Sequence, residues 1–284
     1  MEVAKTYKIT HQTQYIFDSD VFLEPHYLRF RPKETAFLKN LEFSLELNPK
    51  PAGHRIIEDE NHALVDFCWF EGLTNQFTIS AQSVVNTVDY NPFNFILYPT
   101  RYNQLPFQYS EKQKKLLGSA LEHLPISKDL MAFGNAIQQS AKNNTLDYIS
   151  NLTKQVHQDF KVVYREEGAP MHPNETFELK KGSCRDLSWM LIHLLRQQGM
   201  AARFVSGYFY FEMDKPGYEL HAWVDLYLPG AGWLGVDPSH GILTGNSHFP
   251  VASSTHYDDT MPVFGGIRGS ATSQLITNLS IELV

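Results

Sequence analysis

G-S-C-R-D-L-S-W-M-L-I-H-L-L-R-Q-Q-G runs from Gly182 to Gly199. It reads as a tight turn, a cysteine, an amphipathic helix and a closing glycine. Leu187, Met190, Leu191, Leu194 and Leu195 recur at i, i+3, i+4, i+7 and i+8, which predicts one buried stripe. Gly199 suits the position just past a helix end, and Gly182 permits a sharp approach to the first turn. One of only two cysteines, Cys184, therefore stands at the mouth of a helix. Unpaired N–H groups and the positive end of the dipole favour a thiolate there. The same N–H groups suit an oxyanion formed on a carbonyl under attack.

The flanking sequence supplies a surface for that helix. Downstream, A-R-F-V-S-G-Y-F-Y-F, L-H-A-W-V-D-L-Y-L and G-W-L-G-V-D-P read as strands. Upstream, residues 110–124, 127–141 and 145–160 carry helical spacing, with Ser127 and Thr145 as expected N-caps. Residues 1–100 read as β. L-E-F-S-L-E-L-N-P alternates Leu41, Phe43, Leu45 and Leu47 against Glu42, Ser44 and Glu46, one face dry and one wet. Cys68 sits inside such a strand, between Phe67 and Trp69, and reads as a buried, inert thiol. The stretch 89–106, rich in Pro, Asn and Tyr, reads as a surface linker. The expected fold is α+β. An antiparallel β-sandwich with its linker occupies residues 1–100, and a helix packed on an antiparallel sheet occupies 101–284, with a C-terminal strand segment.

Composition narrows the partners. The 284 residues carry 24 Lys plus Arg against 31 Asp plus Glu, a net charge of −7. No basic cluster with interleaved aromatics occurs, which argues against nucleic acid. No apolar run approaches the ~18 residues of a membrane span, and no leader pattern opens the chain. Two cysteines make no disulfide framework, so the expected location is cytoplasmic. The expected partner is a protein or peptide, with neither nucleic acid nor membrane. Nothing in the sequence fixes the oligomeric state.

A thiolate nucleophile needs a base and an orienting group. Of the 12 histidines, His221 begins a strand after a polar turn, D-K-P-G-Y. His193 lies within the helix and reads as packed or surface-bound. Asp237 ends W-L-G-V-D, where Pro238 stops the ladder. Cys184, His221 and Asp237 follow one another at spacings that a helix and two strands can close into one cleft. Asp186, in the first helical turn, fits the dipole and reads as structural. A metal site built on Cys184, His221 and His240 or His248 lacks the closely spaced ligand pairs, such as C-x-x-C, that zinc sites usually bring. The expectation is no metal and no cofactor.

The blocks G-S-C-R-D-L-S-W-M-L-I-H-L-L-R-Q-Q-G-M-A-A-R-F-V-S-G-Y and H-A-W-V-D-L-Y-L-P-G-A-G-W-L-G-V-D-P-S-H-G closely resemble the bacterial transglutaminase-like family of the papain-like cysteine-enzyme superfamily. Residues 1–85 resemble that family's N-terminal β-domain, and D-D-T-M-P-V-F-G-G-I-R-G its C-terminal segment. The sequence departs from the family at Ser254–Tyr257, where many members carry Gly-Arg-Asp-Tyr, and at Ser239 and His240 after Pro238. The resemblance implies Cys184 as nucleophile, His221 as base and Asp237 as orienter. The implied function is a thiol-dependent acyl-transfer enzyme working on peptide or glutamine amides through a thioester acyl-enzyme. Within it, hydrolysis by a cysteine protease or deamidase is preferred to cross-linking. The alternative from a different class is a non-catalytic protein-binding module on the same fold.

Overall fold

The computed structural model describes residues 4–165, 168–211 and 217–284. Much of the turn expected before His221, residues 214–216, lies outside them. The N-terminal part is a sandwich of two antiparallel sheets, as the alternating patterns require. Its strands are β1 (Lys5–Leu23), β2 (His26–Leu28), β3 (Leu38–Asn48), β4 (Gly53–Glu58), β5 (Leu64–Trp69) and β6 (Thr74–Thr87). The order β1–β6–β3 forms one sheet, and β2–β5–β4 lies in the other. Phe17, Leu28, Phe30, Cys68, Phe77 and Ile79 fill the space between them. A register shift between Asn40 and Glu42 in β3 turns Leu41 out, and it is 58% exposed. The strict alternation over Leu41–Leu47 therefore begins one bulge later than the sequence suggests.

Helices follow. They are α1 (Glu111–Leu116), α2 (Gly118–Leu121), α3 (Lys128–Ser140) and α4 (Thr145–Asp159). Ser127 caps α3 by accepting from Leu130 N–H. The cap of α4 is Asn144 and not Thr145, because Asn144 reaches two N–H groups of the first turn. The Thr145 hydroxyl instead donates to the Tyr102 carbonyl 2.7 Å away. The connecting stretch is partly packed, with Leu97, Tyr102 and Leu105 buried. A short parallel pair, β7 (Lys161–Val162) and β8 (Lys181–Gly182), with α5 (Pro173–Leu179) between, leads into α6 (Cys184–Gln197).

The second sheet system runs β12–β11–β10–β9–β13. Its strands are β9 (Ala202–Phe211), β10 (Gly217–Leu228), β11 (Gly232–Asp237), β12 (Ile242–Leu243) and β13 (His248–Ser254). Helix α6 packs on it. The predicted stripe is fully buried, but Ser188, His193 and Arg196 are buried too. Helices cover its outer side, so α6 is enclosed rather than amphipathic at a surface. Arg196 is tolerated there because its guanidinium donates to the carbonyls of Ala202, Glu122 and Thr255.

The chain then returns to its beginning. β14 (Val263–Phe264) joins β2, β15 (Ile267–Arg268) joins the end of β1, and β16 (Ser273–Leu283) runs antiparallel to β1 from Phe17↔Ser273 to Tyr7↔Leu283. The two halves share a core of their own, in which Tyr7, Ile9, Val85 and Ile281 meet Tyr208, Tyr210 and Phe249. No helix among the described residues is long and apolar enough to cross a membrane.

Candidate functional site

A cleft of about 560 Å³ opens between the two halves. Its inner end is built by four neighbouring elements. The first turn of α6 brings Cys184, half-buried and facing the cleft. That turn is set by Asp186, whose carboxylate accepts from Ser183 N–H and Oγ–H, each at 2.7 Å, and from Met171 N–H at 2.7 Å. Asp186 is wholly buried in this role, which is structural as its position suggests. A Cβ on Gly182 would lie 2.7 Å from Asp186 Cβ, so the approach to the helix needs glycine.

Strand β10 brings Glu219 and His221, two residues apart and so on one face. The end of β11 brings Asp237, the turn after it His240, and the start of β13 His248. Asp237 is the hub. Its Oδ2 accepts from His221 Nε2 at 2.8 Å, His240 Nδ1 at 2.8 Å and His248 Nε2 at 3.2 Å. Its Oδ1 accepts the backbone N–H groups of Ser239 and His240 at 2.9 and 3.3 Å. Phe209 packs against all three rings, stacked on His248 at 4.3 Å between centroids.

Burial opposes charge throughout this cluster, yet the pair keeps it. Desolvation would lower the pKa of His221. The Asp237 carboxylate, aided by interactions with Cys184 and Glu219, holds it well above the ordinary histidine value. Burial would raise the pKa of Asp237, but His221 and the imidazole hydrogen bonds hold it well below the usual range. His248 goes the other way, since desolvation outweighs Asp237 and lowers its pKa. Its ring is held neutral. Gly245 N–H donates to its Nδ1 at 3.4 Å, which leaves the proton on Nε2 for Asp237.

The expected three-member relay of Cys184, His221 and Asp237 is corrected at this point. Among the described residues, two groups bring their polar atoms within 4.8 Å of one another: Glu219 with His221 and His240, and His221 with Asp237 and His248. Neither contains a cysteine. Cys184 lines the same cleft and makes a side-chain hydrogen bond with His221, but it is not a member of either group. His221 Nδ1, the nitrogen that would have to take a thiol proton, lies 2.9 Å from Glu219 Oε1. A carboxylate thus faces each nitrogen of the ring, and the His221 charge is already balanced without a thiolate. The thiol acyl-transfer enzyme, its thioester intermediate and the cysteine protease or deamidase reading do not follow from this arrangement. The second cysteine, Cys68, is fully buried in the sandwich with its pKa pushed up to about 12 by desolvation.

Glu219 is the member of the site that the sequence reading does not name, and its signal is the i, i+2 relation to His221. His240 and His248 enter that reading only as alternative ligands of a metal site.

Residues 132–238 match the transglutaminase-like superfamily, and residues 7–86 match the bacterial transglutaminase-like N-terminal region. The chain belongs to the transglutaminase-like superfamily. An uncharacterised protein of Mycobacterium tuberculosis is 24% identical over 98% of this chain and 92% of its own length. The protein-glutamine gamma-glutamyltransferase of Pseudomonas aeruginosa is 33% identical across 73 residues, 23% of this chain and 11% of its own. A Cytophaga hutchinsonii structure described as a candidate cysteine protease superposes with a TM-score of 0.71 at 16% identity. The match covers 100% of this chain and 92% of that one. At that identity the superposition speaks for the fold alone.

Proposed function

We propose that this protein is a binding module on the transglutaminase-like fold, holding a segment of polypeptide in the cleft between its two halves without turning it over. The observation that carries this reading is the double carboxylate contact on His221, with Asp237 on one nitrogen and Glu219 on the other. That arrangement makes a fixed polar anchor at the inner end of the cleft. From there the cleft runs outward between apolar walls that include Leu220, Tyr257, Met261, Val263 and Leu275. Apolar walls with a few convergent polar groups suit a chain of mixed side chains. The partly matching Pseudomonas aeruginosa relative is named for action on protein glutamine, which supports polypeptide as the class of partner.

The test is a panel of capped peptides titrated by fluorescence anisotropy, with mass spectrometry of the same peptides after long incubation. A subset should bind and be recovered unchanged. Leu220→Arg, which puts a charge on the apolar wall, should weaken those peptides about tenfold, equivalent to about 1.4 kcal/mol. Recovery of cleaved, deamidated or cross-linked peptide would sink the non-catalytic reading. Equal binding by wild type and Leu220→Arg would remove the cleft as the site.

A further inference from the structure

We propose that the end of the cleft away from Cys184 is a subsite for a carboxylate of the bound polypeptide, built on Arg29 and the hydroxyls of Thr13 and Tyr208. The inference rests on the polypeptide reading above and adds to it the chemistry of one ligand group.

Arg29 lines the cleft and is only 9% exposed. Its Nε and Nη2 both donate to Asp59 Oδ2, at 3.4 Å each. Its Nη1 is buried and donates to nothing among the described residues. A guanidinium presents its N–H donors in a planar fork that matches a carboxylate, and both hydrogens on Nη1 are unused. Buried donors without an acceptor are costly, and an acceptor brought by a ligand removes that cost. Asp59 does not neutralise the neighbourhood, because it attracts Lys33 as well as Arg29. Arg203, beside Lys33, is matched by Asp225 at 2.9 Å. Among these groups three cations face two carboxylates. One further carboxylate balances the surplus, whereas a doubly charged phosphate overshoots it.

A second donor comes from β1 and β9. Thr13 Oγ1 lies 3.1 Å from His11 Nε2, and Tyr208 Oη lies 3.0 Å from His11 Nδ1. Desolvation lowers the pKa of His11 to about 4, so the ring is neutral and carries one N–H. The three side chains then hold three polar hydrogens and make two hydrogen bonds. Either tautomer leaves one hydroxyl hydrogen over: that of Thr13 if the ring donates from Nε2, that of Tyr208 if it donates from Nδ1. Thr13 and Tyr208 both line the cleft. Phe30, next to Arg29 in the chain, packs its ring on His11 at 4.9 Å between centroids, which brings the trio and the guanidinium to the same end.

The inner end does not suit the same group. Glu219 stands there with its own negative charge. The guanidinium of Arg165 is committed to Asp186 and the Ala169 carbonyl, and that of Arg185 donates to the Arg165 carbonyl.

The experiment uses the full chain and short peptides synthesised in matched pairs, with binding read by fluorescence anisotropy. One pair differs at the C-terminus, free acid against amide, and the other at one interior residue, Glu against Gln. The acid member of at least one pair should bind wild type about tenfold more tightly. The pair that shows it tells whether the carboxylate is a chain end or a side chain. Arg29→Gln should reduce the advantage to within about twofold and leave the uncharged member unchanged. Thr277→Glu should do the same with the guanidinium intact. Thr277 is half-buried, lines the cleft and stands opposite Thr13 in the β1–β16 register, so this variant sets a fixed carboxylate in the subsite and keeps the test valid should Arg29→Gln unfold. Arg55→Gln, on exposed β4, should change nothing. Equal binding within both pairs by wild type would overturn the subsite and leave the polypeptide reading standing. An undiminished advantage in Thr277→Glu would overturn it equally. Failure of every peptide to bind in either form would overturn both.

Discussion

The interior of the N-terminal sandwich and the interior at the cleft end of the second sheet are equally dry and opposite in chemistry. Between the sandwich sheets, Phe17, Phe77, Ile79 and Cys68 pack as hydrocarbon and sulfur. At the cleft end, Asp237 and His221 are just as buried and carry charge. A buried ion pair costs desolvation that only good geometry repays. Here Asp237 Oδ1 and Oδ2 between them accept from three imidazoles and two backbone N–H groups. The sandwich interior tolerates any apolar group of the right size, whereas the cleft end depends on every member keeping its place.

The largest contrast should appear in alkylation. Cys184 lines the cleft, whereas Cys68 is 0% exposed and has its pKa raised to about 12. Iodoacetamide should modify Cys184 in the folded protein and reach Cys68 only through opening of the sandwich. At ordinary stabilities that slows Cys68 by on the order of a thousandfold or more. Peptide mapping gives both rates, and comparable rates would mean that the sandwich interior is not closed.

Removing the hub should come next. Asp237→Ala leaves the buried His221 with Glu219 alone and strips His240 and His248 of their shared acceptor, at a cost of about 3–5 kcal/mol in urea unfolding. A loss below about 1 kcal/mol would show that the cleft end tolerates substitution as the sandwich does.

The pH dependence sharpens the comparison further. Desolvation lowers His193 to about 3 and His11 to about 4, with Arg196 adding to the effect on His193. His193 Nδ1 accepts Leu124 N–H at 2.9 Å, a bond that protonation would break. Both rings gain their proton more readily in the unfolded chain, so the unfolded state binds more protons below pH 6.5. The stability they contribute is complete above 6.5 and falls as pH drops toward their folded values. Each group contributes a slope of up to about 1.4 kcal/mol per pH unit. The raised pKa of His221 acts in the opposite sense, but above pH 6.5. Denaturant unfolding at pH 6.5 and 5 should therefore show a clear loss, with a shallower slope in His193→Gln. A flat profile would mean these rings are not held neutral.

The smallest effect belongs to the sandwich interior. Ile79→Val removes one methyl from a fully buried side chain and should cost about 1 kcal/mol. A loss matching that of Asp237→Ala would erase the distinction between the two interiors.

Much of the architecture was legible because it rests on local periodicity. The alternation in β3 and β6, the helical spacing of α3 and α4 and the stripe of α6 are each written within a dozen residues or so. What escaped was set by distant packing. That α6 is enclosed depends on helices that arrive earlier in the chain, and nothing in Ser188, His193 or Arg196 announces it. The site shows the same limit. His221 and Asp237 stood out from motif and order, but the sharing of one carboxylate among three histidines does not. It arises because the end of β11, the turn at His240 and the start of β13 converge, and the approach of Glu219 to His221 follows from the pleat of β10. The thiol relay was an inference from a motif, and it did not foresee that Glu219 would sit against the ring nitrogen it needed.

The return of β16 to β1 has a consequence for the order of events during synthesis. Strands β1 to β6 emerge first and contain most of the sandwich. The long edge of β1 nevertheless stays unpaired until residues 273–283 follow, after the whole second sheet has been made. An open edge of that length is a template for pairing with another chain. Pairings so far apart in sequence also form late. The nascent sandwich is thus the part of the molecule that a ribosome-bound chaperone would have to shield, and the last strand is what releases it from that need.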